Sequence, residues 1–354
     1  MELELSREQL KALEAALCAA FPSSADLKRM IRFELGENPN IVAGEAPNLA
    51  YGVYNLIEWA LAHDKMANLI CAAVKSNPDN TELRPFARIV AQFYVDAADG
   101  FSKIYKISFG QFDLPTLEEY DMAISNYTYA IEIDEGFVEA YNRRGQTYLK
   151  LEPQNYEAAI ADYTRTIELN SQFAEAYNNR GDAYRHLFLP NYEAAIADYA
   201  EASRIKPDFL EARQNLAWTY LERGCSYQEQ KIYDKAIADF NEALKLNLGD
   251  AALVSQIYLH RGEVYSLLHK YNEALRDFDE IIELGSASNL DKDSSDYIDK
   301  LPLEFNVYYA YFHRGNIYHE QGRYKAALFE YNNAEKLDLT LPELYINRSA
   351  TYSA

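Results

Sequence analysis

Residues 139–163 contain Glu139-Ala-Tyr141-Asn-Arg-Arg144-Gly145-Gln-Thr-Tyr148 and, after a short interval, Tyr156-Glu-Ala-Ala-Ile160-Ala-Asp-Tyr163. Both pieces return 36 residues later, as Glu175-Ala-Tyr177-Asn-Asn-Arg180-Gly181-Asp-Ala-Tyr184 and Tyr192-Glu-Ala-Ala-Ile196-Ala-Asp-Tyr199. Self-similarity at such a period marks stacked supersecondary units. Inside each piece Ala, Leu, Tyr and Glu recur at helical spacing, so each unit predicts a pair of helices. Looser copies run over Tyr258–Phe278, around Arg261-Gly262, and Tyr311–Tyr331, around Arg314-Gly315. Between them Arg213–Phe240 reads as a copy in which Ala217 takes the glycine's place and Trp218 follows it.

A small residue at Gly145, Gly181, Ala217, Gly262 and Gly315 lets the second helix of a unit close on the first, with aromatics filling the flanking grooves. Pro207 and Pro342 fall between units, and Asn170 and Asn247 end helices. No such unit can bury its apolar face alone, so neighbours share one core and form an α-solenoid. The pattern resembles the tetratricopeptide repeat. In that family the first helix carries an aromatic, a Gly or Ala four later and a Tyr three beyond, and the second carries Tyr-x-x-Ala-x-x-x-Phe/Tyr. Five copies cover about 138–343. A five-residue excess near Cys225–Lys231 predicts a longer internal turn in the third unit, and an insertion near Ser286–Glu304 predicts a projecting mobile loop. Leu344 opens a further first helix, a lone cap or the start of another unit. Upstream, Leu117–Ile133 fits a second helix whose partner is the degenerate Pro85–Tyr105, where Ala97, Gly100 and Ile104 loosely echo the repeat.

Residues 1–84 lack the period and predict a separate helical bundle, which leaves 85–354 to the solenoid. Ser6 and Gln9 form a capping box ahead of Leu10, Leu13, Ala16 and Leu17. A second helix carries Leu27, Met30, Ile31 and Phe33; a third lies near Leu49–His63, after the Gly- and Pro-punctuated Gly36–Pro47, and a fourth over Lys65–Lys75, stopped by Asn77-Pro78. The order Phe21-Pro22-Ser, Leu27-x-x-Met30-x-x-Phe33, Asn55-Leu-Ile-Glu-Trp59-Ala and Asn77-Pro-x-Asn80-x-x-Leu83-Arg84-x-Phe86 resembles the effector-associated domain of bacterial conflict systems, a death-like bundle. That resemblance implies pairing with a like domain on a protein bearing a protease, a nucleotide-dependent switch or another effector.

Composition bounds the rest. Lys+Arg 34 against Asp+Glu 55 gives a net charge of −21, which repels nucleic acid and anionic lipid. The bundle carries 8 basic and 12 acidic residues, so most of the excess lies in the solenoid. Cys18, Cys71 and Cys225 form no Cys-x-x-Cys pair and read as buried thiols of a reducing cytoplasm. No secretory leader and no long apolar run is visible, so a soluble cytoplasmic protein is expected.

Nothing here specifies catalysis. His63, His186, His260, His269, His313 and His319 have no nucleophile or carboxylate at motif spacing, although His260 and His313 share one repeat position, just before Arg-Gly. Asp291-x-Asp293-x-Ser295 opens like a calcium loop but has Asp296 where Gly belongs and Pro302 where Glu belongs. The expectation is therefore no enzyme, no cofactor and no metal. Most of the 30 tyrosines sit at equivalent repeat positions and read as core.

By resemblance, a tetratricopeptide solenoid binds on the face lined by its first helices. The corresponding positions are Asn142, Gln146, Asn178, Asp182, Arg185, Gln214, Trp218, Leu259, Glu263, Phe312 and Asn316. Asn side chains can bond both backbone groups of an extended peptide. With Asp182, Glu263 and the overall charge, the ligand expected is a neutral or basic peptide. The leading reading is an adaptor that recruits an effector through its bundle and holds a second partner in the solenoid. The alternative is a general scaffold whose bundle only caps the stack.

Overall fold

The computed structural model describes residues 3–354 apart from 44–45, 47, 104–105, 109–110, 114–115, 152, 247–248, 288–296 and 338–341. The chain divides into two compact units, Met1–Ala183 and Tyr184–Ala354.

The first unit opens with α1 (Arg7–Ala20), where Ser6 Oγ accepts from the Gln9 N–H while Gln9 Oε1 accepts from the Ser6 N–H at 2.8 Å. Ser23 caps α2 (Ser24–Phe33), Asn38 caps the short α3 (Pro39–Val42) and Asn48 caps α4 (Leu49–Ala62); α5 (Met66–Ser76) ends at Asn77-Pro78. Leu13, Leu17, Leu27, Ile31, Val53, Leu56, Leu69 and Ile70 form the closed centre of this bundle. The next helix, α6 (Arg84–Lys103), serves two cores. Phe86 and Val90 complete the bundle, whereas Ala91, Val95 and Ala98 pack with Ala123, Tyr127 and Ala130 of α7 (Leu117–Ile133). On the side facing α7 the small residues that α6 buries are Ala91 and Ala98. Between the two helices a two-stranded antiparallel ribbon pairs β1 (Lys106–Ser108) with β2 (Gln111–Asp113), Ile107 opposite Phe112, an element the helical periodicity did not announce. Then come α8 (Val138–Tyr148), α9 (Tyr156–Leu169) and the start of α10 (Ala174–Arg185).

The second unit continues with α11 (Tyr192–Ile205), α12 (Leu210–Glu229), α13 (Tyr233–Lys245), α14 (Ala251–Leu267), α15 (Tyr271–Ala287), α16 (Tyr297–Glu320), α17 (Tyr324–Glu335) and α18 (Pro342–Ser353). These are the stacked helix pairs of an α-solenoid, following an N-terminal helical domain. In four of the pairs a glycine of the first helix lies against an aromatic ring of the second. A Cβ on Gly145 would sit 2.9 Å from the Tyr163 ring, one on Gly224 2.5 Å from Phe240 and one on Gly262 2.7 Å from Phe278; Gly315 meets Tyr331 in the same way. The arginine before that glycine reaches across the pair. Arg144 binds Asp162, Arg223 binds Asp239 and Arg261 binds Asp277, each through two hydrogen bonds, and Arg314 binds Glu330. Burial pushes the Asp162 and Asp277 carboxyls up, against the pull of their arginines.

Two local expectations change. The close-approach residue of the third unit is Gly224, not Ala217, and the extra residues lie in the N-terminal turns of the 20-residue α12 rather than in its internal turn. Of the expected projecting loop, 288–296, with the start of the calcium-like motif, lie outside the described residues. Residues 297–304 instead begin α16, with Leu303 and Glu304 buried.

Candidate peptide- and protein-binding surfaces

The first helices of the pairs, α8, α10, α12, α14 and α16, carry the positions expected to meet a ligand. On α8, Asn142 is only 4% exposed and its Oδ1 has no hydrogen-bond partner, while Gln146 is half-buried one turn on. Asn178 is buried and Asp182 half-buried on α10. In the second unit, Gln214 and Trp218 lie half-buried on α12, Trp218 against the Leu221 and Phe240 core, and Leu259 is buried on α14. The Phe312 ring of α16 packs edge-on to His313, 5.4 Å between centroids, and beside Tyr331. With Gly224 as the small residue, the positions of α12 equivalent to Leu259 and Glu263 are Leu221 and Cys225.

Arg185, Glu263 and Asn316 do not face an empty surface. At four joints the residue after the small position on one first helix meets the residue two before the small position on the next. Asp99 approaches Arg143 at 3.6 Å, Glu263 approaches His313 Nε2 at 3.3 Å, and Asn316 Oδ1 accepts from Asn347 Nδ2 at 2.9 Å. Cys225 occupies the same place against His260. One turn along, Arg185 pairs with Glu222 at 3.2 Å. Glu263 also lies 3.4 Å from His260 Nδ1 and accepts from Gln228 Nε2, and Asn316 accepts from the Tyr331 hydroxyl.

This rung-to-rung ladder sets the local electrostatics. Burial alone would push Glu263 up, but the His260 and His313 imidazoles hold it well below the usual carboxylate range. Burial would likewise pull His260 down, yet Cys225 and Glu263 keep it raised to about 10. Both rings also stack on the aromatic of the preceding second helix, His260 on Phe240 at 6.2 Å and His313 on Phe278 at 5.5 Å. Sequence reading saw that the two histidines share a repeat position but not that they converge on Glu263. It missed Glu222, Gln228 and Asn347 as well. The signal was the constant offset, one after the small residue to two before the next. Among the described residues no group of three or more His, Cys, Asp or Glu side chains is arranged to hold a metal ion.

Among the described residues several buried acceptors have no hydrogen-bond partner. Besides Asn142 Oδ1, the Gln228 Oε1 is buried without a partner while its amide nitrogen serves Glu263. A stranded buried acceptor costs about 1–3 kcal/mol.

The bundle offers a second surface. On α2, Arg32 is exposed, and the exposed Arg29 and the 71% exposed Phe33 line a cleft of about 690 Å³ together with Phe21 and Met30. Ile41 of α3 is also exposed, as are Tyr51 and Tyr54 of α4. No helix among the described residues is long and apolar enough to cross a membrane.

Comparison with known families bears on both surfaces. The model for effector-associated domain 1 matches residues 3–91. Tetratricopeptide-repeat models match 151–186, 174–209, 217–249 and 315–354. The match beginning at 217 puts Gly224 eighth, as the match beginning at 174 puts Gly181 eighth, in agreement with the register set by Phe240. No curated protein matches the chain. Among solved structures, the chain is similar to the MamA protein (20% identity, 58% of this chain and 96% of that one, TM-score 0.41). It is also similar to YrrB, a tetratricopeptide-repeat protein with an unusual peptide-binding site (17% identity, 62% and 93%, TM-score 0.37). A third is the first tetratricopeptide domain of Spaghetti (RPAP3) bound to an HSP90 peptide (23% identity, 36% and 89%, TM-score 0.31).

Proposed function

From a chain that joins an effector-associated domain 1 to a run of tetratricopeptide repeats, and is thereby a protein-interaction scaffold, we propose a non-enzymatic cytoplasmic adaptor of bacterial defence or signalling. The N-terminal domain recruits an effector by pairing with a like domain, the effector being a protease, a nucleotide-dependent switch or similar. The first helices of the repeats hold a second protein as a neutral or basic extended peptide. Domain boundaries near 84 follow from this division of labour. Two grips on one chain raise effective concentration, so each contact can be individually weak.

The observation that carries the reading is the bundle itself. Its apolar core is completed by Phe86 and Val90 of α6, residues 3–91 match the effector-associated family, and it exposes Arg29 and Phe33 beside a cleft. A module that only capped the stack has no use for that surface. The capping alternative does draw support from α6, whose single helix serves both cores.

The test uses the full chain as bait for proteins that open with an effector-associated domain and are encoded beside it. Arg29→Glu/Phe33→Asp, which alters exposed side chains only, should reduce co-purification at least 10-fold with the unfolding midpoint unchanged. Equal recovery of every such protein by parent and variant would favour the capping role.

A further inference from the structure

In the first unit, the turn that joins α5 to α6 and the C-terminal end of α7 border a cleft of about 890 Å³. Its charges are divided by element. Arg84 and Arg88 line it from the first two turns of α6, and Glu132 and Glu135 line it from the last turn of α7 and the residues just beyond. All four are exposed, and among the described residues none of them forms an ion pair. Lys75, also at the cleft, is taken by Glu34 at 3.0 Å. The lining also includes the rings of Tyr94 and Tyr129, 5.6 Å between centroids, and the half-buried Val74 and Ile133.

These charges oppose the helices that carry them. A helix favours acids at its N-terminal end and bases at its C-terminal end. The bundle otherwise follows that rule: α1 and α2 start with Glu8 and Asp26, while α2 and α5 end with Arg32 and Lys75. The first turn of α6 instead has no acid and opens with Arg84, followed one turn on by the like-charged Arg88, and the last turn of α7 has no base and carries Glu132. Side chains and helix dipoles therefore add. The α6 wall is positive, the α7 wall is negative, and no ion pair across the cleft neutralises either. Arg88 is also held in place, its guanidinium 5.7 Å from the centroid of the Phe137 ring.

The geometry points to a binding site for a short free peptide in its zwitterionic form, its carboxylate on Arg84 and Arg88, its ammonium on Glu132 and Glu135, and its apolar side chains on Tyr94 and Tyr129. Arginine pairs and carboxylates match in charge and in planar hydrogen-bond geometry. A cleft of this volume is roughly 10 Å across, the reach of about three extended residues, so a single amino acid leaves most of it empty. A phosphate or other simple anion answers the α6 wall alone, and an internal segment of a protein brings neither terminal charge. A peptide held this way ties the bundle to the first helix pair, since Leu83 of the α5–α6 turn belongs to one core and α7 to the other. The inference goes beyond the adaptor reading and rests neither on pairing of the bundles nor on the first-helix positions of the solenoid.

The probe is an equimolar pool of tripeptides built from Gly, Ala, Leu, Phe and Tyr, whose only charges at neutral pH are their ends. The pool is equilibrated with the full chain by dialysis and read by mass spectrometry. Members with Leu, Phe or Tyr should be retained at least 10-fold over Gly-Gly-Gly. N-acetylation and C-amidation of the pool should each cut that retention at least 10-fold. Arg84→Glu and Glu132→Lys should each do the same, while the melting temperature of either variant holds or rises, because the new charge suits its helix end. Absence of retention overturns the proposal. Equal retention of the capped pools assigns the cleft to internal protein segments and overturns it. Loss on Arg84→Glu with Glu132→Lys and N-acetylation harmless assigns it to simple anions and overturns it. Retention indifferent to both substitutions places the peptides elsewhere in the chain and overturns it too. A failed search for bundle partners leaves all of these outcomes untouched.

Discussion

Replacing Arg261 by Met should destabilise the second unit severely, and the structure says by how much. Arg261 gives Nε to Asp277 Oδ2 at 2.8 Å and a terminal nitrogen to Oδ1 at 2.6 Å, and its other terminal nitrogen donates to Asn241 Oδ1 at 2.6 Å. Its guanidinium lies over the rings of Tyr258 and Tyr265, at 5.4 and 5.9 Å. Asp277 is 4% exposed, so the variant strands a carboxylate that water cannot reach. Breaking a buried pair from one side costs about 3–5 kcal/mol, whereas replacing both partners by apolar groups of similar size is near neutral. Arg261→Met should therefore lose about 3–5 kcal/mol, and Arg261→Met/Asp277→Leu should return to within about 1 kcal/mol of the parent.

The pH dependence has a definite sign. Burial already raises Asp277 above its ordinary 3.8 against the pull of Arg261, and without the arginine it rises further. A carboxyl that binds its proton more tightly folded than unfolded costs nothing below the unfolded value and most above the folded one. The deficit of Arg261→Met should thus be smallest near pH 4 and grow toward neutrality. Urea unfolding followed by Trp218 fluorescence, in a Trp59→Phe background that leaves one tryptophan, reads the second unit directly. A loss below about 1 kcal/mol, or a double variant no better than the single one, would refute the view that Asp277 is held by this pair.

Gly262→Ala should cost about 1–2 kcal/mol, the Phe278 ring at 2.7 Å outweighing the better helix propensity, and Phe278→Leu in the same chain should restore it, measured by the same unfolding curves. Glu263→Gln should bring His260 down from about 10 toward ordinary histidine, read by NMR titration. Because the folded value is the raised one, the stability linked to His260 is complete below about 6.5 and lost as pH rises through about 10; in Glu263→Gln that alkaline loss should flatten. Asn142→Leu removes a buried acceptor that has no partner, so the melting temperature should hold or rise, while affinity for an extended basic peptide should fall at least 10-fold by calorimetry.

Much of this fold was legible because one physical need recurs. A helix pair must close over a small residue, and Arg-Gly with a tyrosine three later announces that at Gly145, Gly181, Gly262 and Gly315. The third unit shows where periodicity fails. Ala217 and Gly224 are seven residues apart, close to two full turns, so both lie on nearly the same face and an apolar-pattern reading cannot choose between them. The choice is made by the second helix. Phe240 needs a position without a Cβ, and Asp239 needs an arginine beside it, which Arg223 supplies. An acid directly before the ring, read together with an arginine directly before the small residue, fixes the register from sequence.

The binding surface was less legible for a related reason. Whether Glu263, Cys225 or Asn316 is available to a ligand depends on the next unit, through His313, His260 and Asn347 at separations of 50, 35 and 31 residues that vary with every insertion. Position within a repeat says which side chains share a face; only the stacking says which of them are already spent on holding neighbours together. A substitution at Glu263, Cys225 or Asn316 should therefore also change how neighbouring repeats are joined. Under the proposed peptide-binding role, Asn142, buried and with an idle acceptor, is the better place to alter recognition while leaving those joints intact.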